Sequence, residues 1–336
     1  MGKVKRIKVV VIGGGTGTFV VLSGLRDYPI ELTAIVSMMD SGGSNRVWRD
    51  EFGLLPTSDI RQCLVALAED KGDQEILRQL FTYRFHQGVG ISGMTFGNLF
   101  MAALADIYKD QVKALEVVQR LLHIKGKILP VTLDDVHLVA RYENGHQVVG
   151  EHAIDEPRHD GRLKIVEMET IPKAKIYPPA QKAILTADLI IFGPGDLYTS
   201  LVPNLVVEGV TPAIARSQAK KLFIINLMTK YGQTYNYKAS DFIKDLEKYL
   251  GQGILTHVFV NQKLDLPKKF LEKYQQEHAV PVENDLERRY DFEVVHTNFV
   301  SHKIFQKPAG DRLFRSPLRH DPAVLAREIT KLFPMI

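Results

Sequence analysis

Four consecutive β-branched residues, Val9, Val10, Val11 and Ile12, run into Gly13-Gly14-Gly15-Thr16-Gly17, and an apolar pattern at helical spacing follows over 19–26. An apolar run without polar alternation is that of a strand covered on both faces, as in a parallel sheet. The same grammar returns along the chain. Residues 31–37 read as a second strand, and 187–192, 222–227 and 257–260 as three more. Helical patterns separate most of them. One over 60–68 opens behind Pro56-Thr57-Ser58-Asp59, residues 73–122 are helical apart from a glycine-rich break at 88–93, and Asp321-Pro322 opens a last helix through Lys331. Gly97 inside a helical pattern predicts close backbone packing. Between 131 and 169 two β-type runs flank Glu143-Asn144-Gly145-His146, and Asn-Gly is a strong hairpin signal. The pattern predicts an α/β fold: a Rossmann-like, mostly parallel sheet with helices on both faces. A small β-rich insertion at 131–170 is expected within a single domain spanning 1–336.

The loops carry the candidate chemistry. Strand, glycine turn, then helix is how a nucleotide-binding fold opens, because glycines let the backbone approach a phosphate and first-turn N–H groups point at its charge. Gly13 and Gly15 fit the dinucleotide fingerprint, but its third position is Thr18. The second strand ends in Asp40-Ser41-Gly42-Gly43-Ser44. Asp40 suits a sugar hydroxyl or a magnesium ion bridging phosphates, the alternative being a plain turn cap. Arg46, Arg49 and Arg61 follow closely enough to be phosphate clamps as a group, and Asn98 offers a polar contact at a helix start. The later strands run into Gly193-Pro194-Gly195-Asp196-Leu197-Tyr198-Thr199-Ser200, into Met228-Thr229-Lys230-Tyr231-Gly232-Gln233-Thr234, and into Asn261. C-terminal ends of parallel strands share one edge, so five such loops predict one composite site. Arg319 and His320 fit a phosphate contact or helix-entry packing.

Composition narrows the class without choosing the ligand. Of 336 residues, 43 are basic and 39 acidic, a net charge of +4 that does not suggest a nucleic-acid partner. No run of about 18 apolar residues is present to insert into a membrane, and a cytoplasmic protein is expected. Cys63, the single cysteine, lies in an apolar helical run and reads as core. His86 reads as structural. The run 155–162 reads as an exposed loop, and His152, His159 and Asp160 lack a metal-ligand pattern. No paired carboxylates, Ser-His-Asp order or Cys-His pair stands out as catalytic.

The motifs GGGTG, DSGGS, DIRQCLVALA, FGNL, FGPGDLYTSLVPNLVVEG and NLMTKYGQT, in this order over nearly the whole chain, resemble the YvcK/CofD-like family. The nearer branch is that of the YvcK (GlmR) gluconeogenesis factors. That resemblance implies a Rossmann-like protein that binds UDP-N-acetylglucosamine and regulates carbon flow into cell-wall precursors, with effects on cell shape. By resemblance, Gly13, Gly14, Gly15, Thr16, Gly17, Asp40, Ser41, Gly42, Gly43 and Ser44 line the nucleotide-sugar site. Gly193, Pro194, Gly195, Tyr198, Ser200, Asn204, Asn226 and Thr229 complete its rim, and Arg61, Asn98 and Arg319, read from the residues themselves, are further candidate ligand contacts. The partners expected are a UDP-sugar or other nucleotide, an enzyme of amino-sugar synthesis, and a second copy of the chain in a homodimer. The CofD branch implies instead a transferase moving a phospholactyl group from a guanylylated donor to a deazaflavin, with magnesium at Asp40. The chain has Thr57-Ser58, Met94 and Gln233 where members often have Pro-Gly, His and Glu. A nicotinamide oxidoreductase is disfavoured by Thr18 and by the long loop after the second strand.

Overall fold

The computed structural model describes residues 6–42, 49, 53–69, 71–262, 268–286, 290–301 and 317–333. In chain order the strands are β1 (Lys8–Gly13), β2 (Glu31–Val36), β3 (Lys127–Pro130), β4 (His137–Tyr142), β5 (Gln147–Val149), β6 (Ile165–Ile171), β7 (Leu189–Phe192), β8 (Lys220–Ile224), β9 (His257–Asn261) and β10 (Glu293–Thr297). Seven of them form one sheet in the order β10-β9-β8-β7-β1-β2-β3. Every neighbouring pair in it is parallel. The chain starts in the middle, winds outward through β2 and β3, and returns to lay β7 on the other side of β1. Val9 therefore pairs with Leu32 on one side and Leu189 on the other.

Burial explains why β1 is uniformly apolar. Val9 and Val11 pack into a core with Leu22, Leu64 and Leu325, from the helices Gly15–Leu25 (α1), Ser58–Leu67 and Pro322–Thr330. Val10 and Ile12 face the opposite core, which includes Leu138, Tyr142 and Met168 of the small sheet. That second sheet is antiparallel, in the order β5-β4-β6. Its hairpin is the expected one: Gly145 takes φ +83° and its N–H donates to Tyr142 O at 2.8 Å. Helix α1 begins at Gly15 rather than at 19, so the glycine run supplies its first turn. The edge strands β3 and β10 are additions to the five strands expected from the pattern. The helical stretch 73–122 divides into Asp73–Thr82, Phe96–Tyr108 and Gln111–Leu121. No described helix is long and apolar enough to cross a membrane.

Candidate ligand-binding cleft

Neighbouring strands β1 and β7 send the chain to opposite sides of the sheet, and a crevice opens at their C-terminal ends. The cleft there encloses about 740 Å³ and is lined by the first turn of α1, the loops after β2, β7 and β8, and the approach to the last helix. Its floor depends on a backbone approach: a Cβ on Gly17 would stand 1.9 Å from the Pro194 carbonyl oxygen. Only glycine lets α1 rest on the loop after β7. That loop is braced in turn by Asn226, whose Oδ1 accepts from Gly195 N–H at 3.2 Å.

One wall is cationic and buried. Arg61 and Asn98 are 7% and 2% exposed, and Arg61 Nε donates to Asn98 Oδ1 at 3.0 Å. Arg319 also lines the cleft. Beside it His320 is buried, its Nε2 donating to Ile225 O at 3.1 Å, and burial lowers its pKa to about 4.

The cleft also carries carboxylates. Glu151, His152 and Asp155 come from the short helix Glu151–Asp155 on the small sheet, and Asp196 from the loop after β7. Lys230 ties two of them together, donating to Asp155 and, at 2.6 Å, to Asp196 Oδ2. Burial alone would lower the ammonium pKa, but the Asp196 and Asp155 carboxylates raise it above its ordinary value. Asp155 also accepts from Gln233 Nε2 at 3.0 Å and Thr199 Oγ1 at 3.1 Å. Against its own burial, the Lys230 charge and hydrogen bond hold its carboxyl below the usual range. Glu151 is raised well above that range, first by burial and then by Asp40, Asp155 and Asp59. The cleft thus brings guanidinium groups and backbone N–H groups together with carboxylates that can accept from hydroxyls. Among the described residues no group of three His, Cys, Asp or Glu side chains is arranged to hold a metal ion.

The model of the family described as 2-phospho-L-lactate transferase CofD matches residues 9–300. The chain belongs to the CofD family. Within this family it is 37% identical over 298 residues to the gluconeogenesis factor of Bacillus subtilis, covering 88% of this chain and 92% of that protein. A Thermotoga maritima protein named for the same factor is 40% identical, over 97% of this chain and 99% of its own. A crystal structure of a UPF0052 family protein from Bacillus halodurans superposes with a TM-score of 0.86 at 34% identity, covering 97% of this chain and 99% of that one.

Of the candidate ligand contacts, Gly14, Gly15, Thr16, Gly17, Asp40, Gly42, Arg61, Asn98, Pro194, Gly195, Ser200, Asn226, Thr229 and Arg319 line the cleft. Gly43 and Ser44 lie outside the described residues, as does Arg46. Gly13 and Gly193 sit behind the loops, where Gly193 N–H donates to Ile12 O at 3.2 Å. Ser41 turns to the small sheet, its Oγ accepting from His152 N–H at 3.0 Å. Two expected rim residues are core residues instead. The turn Leu197–Leu201 carries Tyr198 inward, fully buried, with its hydroxyl donating to Asp245 Oδ2 at 2.5 Å. Asn204 is also buried, donating to Ser200 O at 2.8 Å. Arg49 is no cleft clamp, since it donates to Asp135 and to Val136 O at 2.5 Å.

Sequence reasoning missed Asp59, Glu151, Asp155 and Lys230, and read Asp155 as part of an exposed loop. Asp196 had a signal, an acid at the end of a buried strand. Asp155 had none, because only the docking of the small sheet brings it to Lys230.

Proposed function

We propose that the cleft binds a nucleotide sugar, UDP-N-acetylglucosamine, and that the protein is a cytoplasmic regulator that reports this ligand to an enzyme of amino-sugar synthesis. The observation that carries the reading is one 740 Å³ cleft in which the glycine turn of α1, Arg61, Arg319 and several carboxylates meet at the same edge of the sheet. That volume falls in the range of about 300–1,000 Å³ usual for small-molecule sites. Arg61 and Arg319, with the first-turn N–H groups of α1 after Gly15, suit a diphosphate. Asp40 and Asp196 suit the hydroxyls of a sugar or ribose. The relatives named gluconeogenesis factors support a setting in gluconeogenic metabolism; a role in cell-wall precursor supply and cell shape is part of the same proposal. Calorimetric titration with UDP-N-acetylglucosamine, UDP-glucose, GDP and NAD tests the reading. Saturable binding selective for the first supports it, and absence of any UDP-sugar binding removes it.

A second reading is a transferase of the CofD kind, favoured by the family model that spans residues 9–300. Magnesium fits the hard carboxylate of Asp40 in such a site, because this ion binds through one or two carboxylates plus ligand phosphates. It would neutralise phosphate charge there. Release of a guanine nucleotide from a guanylylated phospholactate donor in the presence of a deazaflavin acceptor would establish this reading over the first.

A further inference from the structure

We propose that the hairpin between Thr82 and Thr95 is a flap on the cleft and that Arg61 is its clasp. The segment leaves the helix Asp73–Thr82 and returns to the helix Phe96–Tyr108 as a short antiparallel ribbon, with Arg84 bridged to Thr95. Phe85 N–H donates to Met94 O at 2.9 Å, Gly93 N–H to Phe85 O at 2.8 Å, and Phe96 N–H to Tyr83 O at 2.9 Å. Arg84, Ser92, Gly93 and Met94 line the cleft, while Val89 at the tip is fully exposed. Gly88, Gly90 and Gly93 take φ of +101°, +88° and +87°, so the tip folds back on conformations other residues rarely adopt. Nothing lies within 4 Å of where a Cβ would stand on Gly90 or Gly93. The backbone bonds of the ribbon lie within it, Arg84 Nη1 adds a bond to Gly93 O at 2.5 Å, and the glycine-rich tip is exposed, which is the profile of an element that opens locally.

Both roots converge on one guanidinium. Arg61 Nη1 donates to Phe81 O at 3.4 Å, just before the flap, and Arg61 Nε to Asn98 Oδ1 at 3.0 Å, just after it. Gly97 leaves no side chain between the roots: a Cβ there would stand 2.8 Å from Phe81 O and 2.9 Å from Arg61 Cδ. The same Arg61 lines the cleft. An anion that engages its guanidinium fixes both roots together, and a loosened guanidinium releases both together. For its ligand, the diphosphate of a nucleotide sugar, this inference rests on the proposed function. For its clasp it does not.

The test is amide hydrogen exchange on the full chain, first without ligand, for wild type, Arg61→Lys and Asn98→Ala. The amides of Phe85, Gly93 and Phe96 are expected to exchange about tenfold faster, or more, in both variants, with the amides of β1 unchanged. Unchanged flap exchange overturns the clasp, and so does equal acceleration of flap and β1. UDP-N-acetylglucosamine is then added to the wild type, where slower flap exchange is expected. Calorimetric binding without slower exchange overturns the coupling of flap to ligand. Absence of binding heat removes the nucleotide-sugar reading, while the clasp stands or falls on the ligand-free comparison.

Discussion

The Asp59 carboxylate sits on the backbone of Gly15, its Oδ1 accepting from the Gly15 N–H at 2.9 Å. Helix α1 has no side-chain cap of its own at Gly14, so the neighbouring helix Ser58–Leu67 lends it an acceptor and a negative charge at its N-terminus. The contact explains why a glycine stands before α1. Gly14 has φ −159°, extended backbone open to any residue, but a Cβ there would stand 2.2 Å from Asp59 Oδ2. Space, not backbone conformation, keeps this position small.

Gly14→Ala should therefore push Asp59 off Gly15 and lower stability by about 1–3 kcal/mol. Asp59→Ala should lower it by about 1 kcal/mol as a lost cap. The two losses should not add, because the second substitution removes the obstacle the first one meets. Urea unfolding of wild type, both single variants and the double variant measures this. Additive losses would show that the contact is not what constrains Gly14.

Lys230 links Asp155 and Asp196 across the cleft wall. Lys230→Met should leave two carboxylates facing each other and reduce stability by about 1–3 kcal/mol, less than for a fully buried pair because the three side chains keep 26%, 29% and 36% exposure. Adding Asp196→Asn to this variant should recover part of the loss. The urea midpoint decides: a double variant no better than Lys230→Met would mean that the bridge carries no charge-balancing role.

Glu151 gives stability a dependence on rising pH. Its folded pKa lies above the unfolded value, so between the two the folded chain binds more protons than the unfolded chain, and stability falls as pH rises through that window. Glu151→Gln keeps the shape of the protonated acid. Its melting temperature relative to wild type should climb from acid toward neutral pH, by about a few degrees. A constant difference across that range would mean that Glu151 ionises normally.

His320 works in the opposite direction. Burial lowers its pKa from 6.5 to about 4, so between those values the unfolded chain takes up a proton that the folded chain refuses. Stability from this group is lost as pH falls. His320→Gln keeps a donor for Ile225 O and cannot titrate. Thermal melts should show the variant gaining on wild type from pH 6.5 down to about 4, with a flat difference above. A flat difference throughout would mean that His320 is protonated in the fold as readily as outside it.

The central sheet was legible because burial on both faces leaves a written trace: β1 and β7 are unbroken apolar runs. The edges left less. β3 has four residues with alternating exposure, and β10 is nowhere fully buried, so neither stands out from its flanks. The cleft was legible where the glycine turn itself lines it, as at Gly14–Gly17. It was illegible where contact depends on tertiary docking. Tyr198 stands in sequence between Asp196 and Ser200, both of which line the cleft, yet the intervening turn aims it at Asp245. Asp155 is the converse, an acid in a polar run that the small sheet delivers to Lys230.

Asp40 combines two roles that one substitution separates. Its Oδ1 accepts from Gly42 N–H at 2.8 Å, which fixes the turn after β2, and its side chain also lines the cleft. Asp40→Asn keeps an oxygen able to accept from Gly42, so the turn and the unliganded melting temperature should hardly change. What it removes is the charge that would bind a ligand hydroxyl or a magnesium ion. A charge-assisted hydrogen bond of about 1.5–3 kcal/mol corresponds to an expected loss of affinity for UDP-N-acetylglucosamine of roughly ten- to a hundredfold. Asp40→Ala removes both roles and should lower affinity and melting temperature together. If magnesium mediates the contact, wild-type affinity should depend on the ion and the affinity of Asp40→Asn should not. Calorimetric titrations with and without magnesium, paired with thermal melts, distinguish these outcomes. Full affinity in Asp40→Asn would restrict this carboxylate to the turn, and hydroxyl binding in the cleft would then have to rest on Asp196.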